Sequence, residues 1–146
     1  GKDARRMILV IGIGHPLRRD DGAGLWIAQN LEEREGVKVL GAQVLSPELL
    51  PQIIAADLVI FVDARKSAGP VRWEPLKPGP CPPLSHSMTP QGLISWAAKL
   101  FGTAPEAWLV TVPARDFSLG EGLSPRTRLA AEALLRRLRA YLGGGE

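Results

Sequence analysis

Cysteine is nearly absent: Cys81, in "PGPCPP", is the only one in the 146-residue chain. A single thiol can form neither an internal disulfide nor a CxxC metal knuckle, which fits a reducing compartment and predicts a cytoplasmic protein. Aromatic residues make up only 5% of the chain, and no apolar run approaches the roughly 20 residues that a membrane span requires. Basic residues ahead of "MILVIGI" imitate the front of a signal peptide. That run is only about seven residues long, however, and leads into glycine and charge rather than into a small-residue cleavage site.

Charge of one sign is also scarce. The formal net charge is +3, and the arginines fall into scattered groups at 5–6, 18–19 and 126–139, a mild bias and no nucleic-acid stripe. Those in "LLRRLRAYL" read as the solvated face of a helix whose other side is apolar. HExxH, GxSxG and a P-loop are missing, and Cys81 has no evident histidine partner, so a serine or cysteine protease is unsupported.

What remains is ordinary for a folded domain, with 45% apolar and 23% charged residues and a length that suits one unit spanning 1–146. "MILVIGI" (Met7 to Ile13) has the continuous apolar pattern of a strand buried on both faces. Helical periodicity follows from Gly22 to Glu33, closed by Gly36. Next come a strand in "VKVLGAQ" and a helical segment in "SPELLPQIIAAD", with Ser46 as N-cap and Pro51 shortening or kinking it. Leu58 to Ala64 is a third strand. "GPVRWEPL" reads as an edge strand because of its prolines, and "KPGPCPPLSHSM" as an irregular loop. Thr89 and Pro90 open a helix through Phe101, "AWLVTVPA" is a further strand, and Ser124 with Pro125 starts the last helix.

This alternation predicts an α/β protein: a three-layer α/β/α sandwich on a twisted, mostly parallel five-stranded sheet with one antiparallel edge strand. Right-handed crossovers place a topological switch at strand one if strands two and three flank it. Ligands bind at such a point, beyond the carboxyl ends of the strands. Asp21 follows the end of strand one and Asp63 ends strand three, so the two carboxylates are expected in one crevice.

"GIGHPL" meets only the first two positions of GxGxxG, and strand two ends without an acid, so a dinucleotide cofactor is not expected. In "RRDDG" one acid suffices to cap a helix; a second beside it is repelled unless a cation intervenes, a part open to Arg18 and Arg19. Asp63 at the end of a buried strand needs a partner, either loop amides or an ion. His86 lies three residues before the Thr89 cap, on a loop within reach of the crevice or merely exposed. Asp21, Asp63 and His86 together would make an oxygen, oxygen, nitrogen set suited to a divalent ion such as nickel, zinc or manganese.

"ILVIGIGHPLRRDDGAG", "AQVLSPELL", "VIFVDA", "SHSMTPQGLISWA" and "PARDFSLGEGLSP", in that order, resemble the hydrogenase maturation protease family, peptidase family M52. The resemblance runs from Met7 to the final helix. It implies a nickel-dependent endopeptidase that removes the C-terminal peptide from a [NiFe]-hydrogenase large-subunit precursor, with Asp21, Asp63 and His86 as catalytic residues and metal ligands. It also implies nickel supplied by that precursor. With no nucleic-acid stripe and no membrane-length apolar run, a monomer that binds neither nucleic acid nor membrane is expected. Asp20 then serves the loop or the helix start while Asp21 faces the metal. His15 stands where the family usually has asparagine, either a harmless swap in the turn or an additional ligand or acid/base group. "GIGHP" also resembles the GxGNP loop of peptidyl-tRNA hydrolases, although "DDG" suits them poorly. A nickel-binding maturation chaperone that grips the precursor without cutting it is the other alternative.

Overall fold

The computed structural model describes residues 6–143. Five strands form one sheet in the order β2-β1-β3-β5-β4: β1 Ile8–Ile13, β2 Val37–Ala42, β3 Leu58–Arg65, β4 Arg72–Leu76 and β5 Glu106–Pro113. The first four in that order run parallel, and β4 pairs antiparallel at the edge. Helices α1 Ala23–Asn30 and α4 Pro125–Leu142 cover one face, and α2 Leu50–Ala55 and α3 Pro90–Phe101 the other.

Side-chain alternation along the strands produces the two cores. Leu9, Ile11, Val59 and Phe61 pack with Leu50, Ile53, Leu93 and Ile94 on the α2/α3 side. Val10, Ile60, Val62 and Val110 pack with Ile27, Ala131, Leu134 and Leu138 on the other. Both faces of the central strands are therefore covered, which is why their sequences are apolar throughout. None of the helices among the described residues is long and apolar enough to cross a membrane.

Several boundaries differ from the expectation for local reasons. The first helix is only eight residues and stops at Asn30, because Leu31 turns to an extended conformation and buries its side chain. Gly36, with φ +82°, serves the turn into β2 and does not cap that helix. Ser46 has extended cap geometry but its side chain accepts no capping bond; a 3-10 turn, Pro47–Leu49, precedes α2 and puts Pro51 in the first turn, where its missing N–H costs nothing. Thr89 caps α3 as expected, accepting from the Gly92 amide at 3.0 Å. The arginines of α4 are less idle than a solvated face implies: Arg128 and Arg137 lie over the rings of Trp26 and Trp73, and Arg139 pairs with Glu32 at 2.8 Å.

Candidate active site

Because β2 and β3 flank β1, the chain reverses direction across the sheet at β1, and the crevice beyond its carboxyl end is the switch point. Glycines make that crevice narrow. A Cβ on Gly24 would lie 2.1 Å from the Val62 carbonyl oxygen and 2.3 Å from that of Ile13; one on Gly12 would lie 2.1 Å from the Gly24 oxygen. One on Gly14 would stand 2.3 Å from the Asp21 backbone carbonyl oxygen. Only glycine lets the start of α1 rest directly on β1 and β3, and this contact draws the "DDG" turn up against the end of β3.

The 3-10 turn Arg19–Gly22 carries both acids, and they have opposite roles. Asp20 is fully buried and accepts from the amides of Arg115, Asp116 and Ser124 at 2.7 to 2.9 Å. It also accepts from the hydroxyls of Ser124 and Thr127 at 2.7 and 3.0 Å. Burial pushes its carboxyl up, but the Ser124 hydroxyl and the three amides outweigh that and hold it at about 2. Asp20 thus ties the loop between β5 and α4 to the end of β1. Ser124 stands at the start of α4 as expected, but its hydroxyl makes no capping bond and is committed to Asp20.

Asp21 is half-buried, and one of its carboxylate oxygens accepts from the His15 amide at 3.3 Å. Asp63 lies one strand away, partly buried, its carboxylate accepting from the Ala64 amide at 2.7 Å. Burial pushes the Asp63 carboxyl up to about 6, the Ala64 amide opposes this, and the like charge of Asp21 adds to the rise. The two acids expected in one crevice therefore feel one another across it.

The arginines do not lie between the adjacent acids Asp20 and Asp21. Arg19, held at φ +45°, turns away to donate to the Glu121 carbonyl at 3.0 Å and approaches Asp116 at 3.9 Å. Gly120 leaves it room, since a Cβ there would fall 2.4 Å from the guanidinium. Arg18 is exposed. Arg65, two residues beyond Asp63, spends its guanidinium on Thr111, Ser67, Ala68 and Pro70, where it braces the β3–β4 turn.

His86 is exposed on the 77–89 segment, which is fastened to the end of β2 by the bridge between Leu45 and Met88. Among the described residues no three His, Cys, Asp or Glu side chains stand together as a metal-ligand group. The fold gathers Asp21 and Asp63 but does not bring His86 onto them. The two carboxylates fit a divalent cation as hard oxygen donors of like charge, and they leave most of its coordination positions to other ligands. His15 keeps the local role open to an asparagine: its Nδ1 accepts from the Leu17 amide at 3.1 Å, closing the turn on itself. Its φ is not positive, so the turn asks for no left-handed backbone at this position.

Sequence reasoning missed two features: the number of bonds converging on Asp20, and the bracing by Arg65. Both partners of Asp20 on α4 were visible in "SPRT", but nothing in the spacing tied them to a residue a hundred positions earlier.

A scan against protein-family models finds no match, and neither does a search of curated protein sequences. Solved structures do match. The hydrogenase maturating endopeptidase HybD from E. coli is 25% identical with a TM-score of 0.72, covering 94% of this chain and 93% of its own. The [NiFe] hydrogenase maturation protease HycI from Thermococcus kodakarensis is 23% identical with a TM-score of 0.68, over 90% of this chain and 89% of its own. A hydrogenase 2 maturation peptidase from a Thaumarchaeota archaeon is 22% identical with a TM-score of 0.66, covering 97% of this chain and all of its own. The last two share the fold over essentially the full length, and HybD, at 25% identity, is a maturation endopeptidase, which supports a peptidase here. By its sheet order and its likeness to HybD over nearly the full length, the chain fits the hydrogenase maturation protease family.

Proposed function

We propose that the protein is an endopeptidase that trims the C-terminal peptide of a [NiFe]-hydrogenase large-subunit precursor after nickel has been inserted, with Asp21, Asp63 and His86 contacting that nickel. The observation that carries this reading is the like-charged pair Asp21 and Asp63 at the switch point, with the Asp63 carboxyl raised by burial and by its neighbour. Two acids held so close gain most from a cation between them. Nickel belongs to the substrate in this scheme. Two protein carboxylates are few for a resident ion, but enough to share one that the precursor already holds through its own ligands.

Asp21 is presented by the turn after β1 and kept in place by the His15 amide, while Asp63 is fixed by β3 and the Ala64 amide. Rigid mounting of both orients the precursor's scissile segment against the end of the sheet. His86 joins from its loop when the precursor docks, so the set is completed only in the complex. A divalent ion so placed supplies polarisation of a carbonyl or of water. The protein acts as a monomer, and the reaction takes place on a protein partner without nucleic acid.

Incubation with full-length precursor, loaded with nickel or free of it, tests the proposal. A shorter product should appear only from the loaded form, with the released peptide identified by mass. Equal processing of both forms would refute metal recognition, and capture of the precursor without any shortening would favour the chaperone-like alternative.

A further inference from the structure

We propose that the cleft between α4 and the amino ends of β3 and β5 binds a small aromatic carboxylate. It is a cavity of about 320 Å³, at the lower end of the roughly 300 to 1,000 Å³ that small-ligand sites occupy. Leu58 and Ile60 of β3 form its floor, Trp73 and Trp108 rise from β4 and β5, and Arg137 and Tyr141 close it from α4. The cavity lies by the first residues of β3 and β5, whereas Asp21 and Asp63 stand at the carboxyl ends of the strands. It is therefore separate from the crevice and independent of the endopeptidase reading.

The chain holds only four tryptophans and one tyrosine, and two of those tryptophans meet the tyrosine here. In the β4–β5 register Trp73 lies opposite Val110, two residues from Trp108, so the two indoles are diagonal neighbours on one face of the sheet. Arg137 and Tyr141 are one helical turn apart on α4 and share the side that borders them. Flat apolar walls of this kind suit a ring.

Hydrogen bonding selects the ligand's charge. Arg137 and Glu106 are the charged residues of the lining. Glu106 is engaged on both oxygens, by Arg6 Nη2 at 3.2 Å and by Trp108 Nε1 at 2.9 Å. Asp57, just before β3, accepts from the Met7 amide at 2.8 Å. Arg137 has no acid or carbonyl partner among the described residues: its guanidinium carbon lies 5.4 Å from the centre of the Trp73 ring, a face contact that leaves its N–H groups free. The Trp73 indole N–H is also buried without an acceptor among them. The unspent capacity of the cleft is thus that of donors, which a carboxylate meets by accepting from the guanidinium in bidentate fashion. Aromatic walls beside an acid also suit a cation, but here Arg137 already stands over Trp73 and Arg6 on Glu106. A protein partner would need a broad apolar surround, and the exposed Arg6, Glu106, Arg136 and Arg137 supply charge instead.

Titration of the protein with 2-naphthoate, 2-naphthamide and 2-naphthylmethylammonium, followed through the indole N–H signals in proton–nitrogen correlation spectra, tests the site. The carboxylate should shift Trp73 and Trp108 but not Trp26 or Trp96, which lie on α1 and α3. Its Kd should be below about 1 mM, and the uncharged amide should bind about tenfold more weakly for want of the charge-assisted contact. Arg137→Gln should bring the carboxylate down to the affinity of the amide and leave the amide unchanged, while Tyr141→Ala should weaken both. Arg136→Gln, exposed on the same helix and outside the cavity, should match wild type. Tighter binding of the ammonium probe, shifts spread equally over all four indoles, no saturable shift up to about 10 mM, or a carboxylate affinity that Arg137→Gln leaves unchanged would each overturn the proposal.

Discussion

Replacing Asp20 with asparagine probes the joint on which the crevice is built. The carboxylate accepts from three amides and two hydroxyls, all donors. Asparagine keeps the shape, turns one acceptor into a donor that faces donors, and removes the charge. Leaving buried donors unsatisfied costs roughly 1 to 3 kcal/mol each before relaxation, so a total loss of about 3 kcal/mol at pH 7 is expected. Part of this is tied to pH. The folded value of about 2 lies below the ordinary 3.8, so the carboxylate contributes stability that is present above pH 4 and lost as pH falls through about 2, an amount on the order of 2 kcal/mol. Urea unfolding of wild type and variant between pH 7 and pH 2.5 measures both parts. The gap should be about 3 kcal/mol at pH 7 and narrow steadily below pH 4. A gap under about 1 kcal/mol, or one that does not change with pH, would refute the assignment of Asp20 as a charged staple.

Asp63 should behave in the opposite way. Its folded value near 6 exceeds the ordinary 3.8, so the folded state holds the extra proton between those values and loses stability as pH rises through them. Asp63→Asn should therefore raise the melting temperature at pH 7.5, lose that advantage by pH 4, and abolish cleavage; a variant less stable than wild type at pH 7.5 would contradict the burial argument. Gly24→Ala drives a Cβ into two carbonyl oxygens and should prevent folding or cost more than about 3 kcal/mol, whereas Gly102→Ala, in open space at φ +82°, should cost only about 1 kcal/mol by thermal melting. His15→Asn should preserve both stability and cleavage within about twofold because asparagine can accept the Leu17 amide in the same turn; a larger loss of cleavage would make the imidazole part of the chemistry.

The layered architecture was legible because the strand and helix periods are strong. "MILVIGI" and "LVIFVDA" reveal two-sided burial directly, and Thr89 with Pro90 marks the start of α3. The switch point followed from the handedness of crossovers, and with it the meeting of Asp21 and Asp63. What the sequence concealed is non-local bonding. "RRDDG" gives no sign that Arg19 turns toward Glu121, that Asp20 seizes the start of α4, or that Arg65 is used up by its own turn. His86 marks another limit. A residue's place in a motif says which end of the sheet its loop reaches, but the direction of an exposed side chain is set by partners, and in the isolated chain it has not joined the acids.

The most direct test of the shared-cation account is a nickel-edge anomalous difference map from crystals of the protein complexed with its nickel-loaded precursor. The peak should have carboxylate oxygens of both Asp21 and Asp63 at about 2.0 to 2.2 Å, as carboxylates ligate comparable divalent ions, with the His86 imidazole drawn in beside them. A peak held by the precursor alone, with the two carboxylates left uncoordinated, would contradict it.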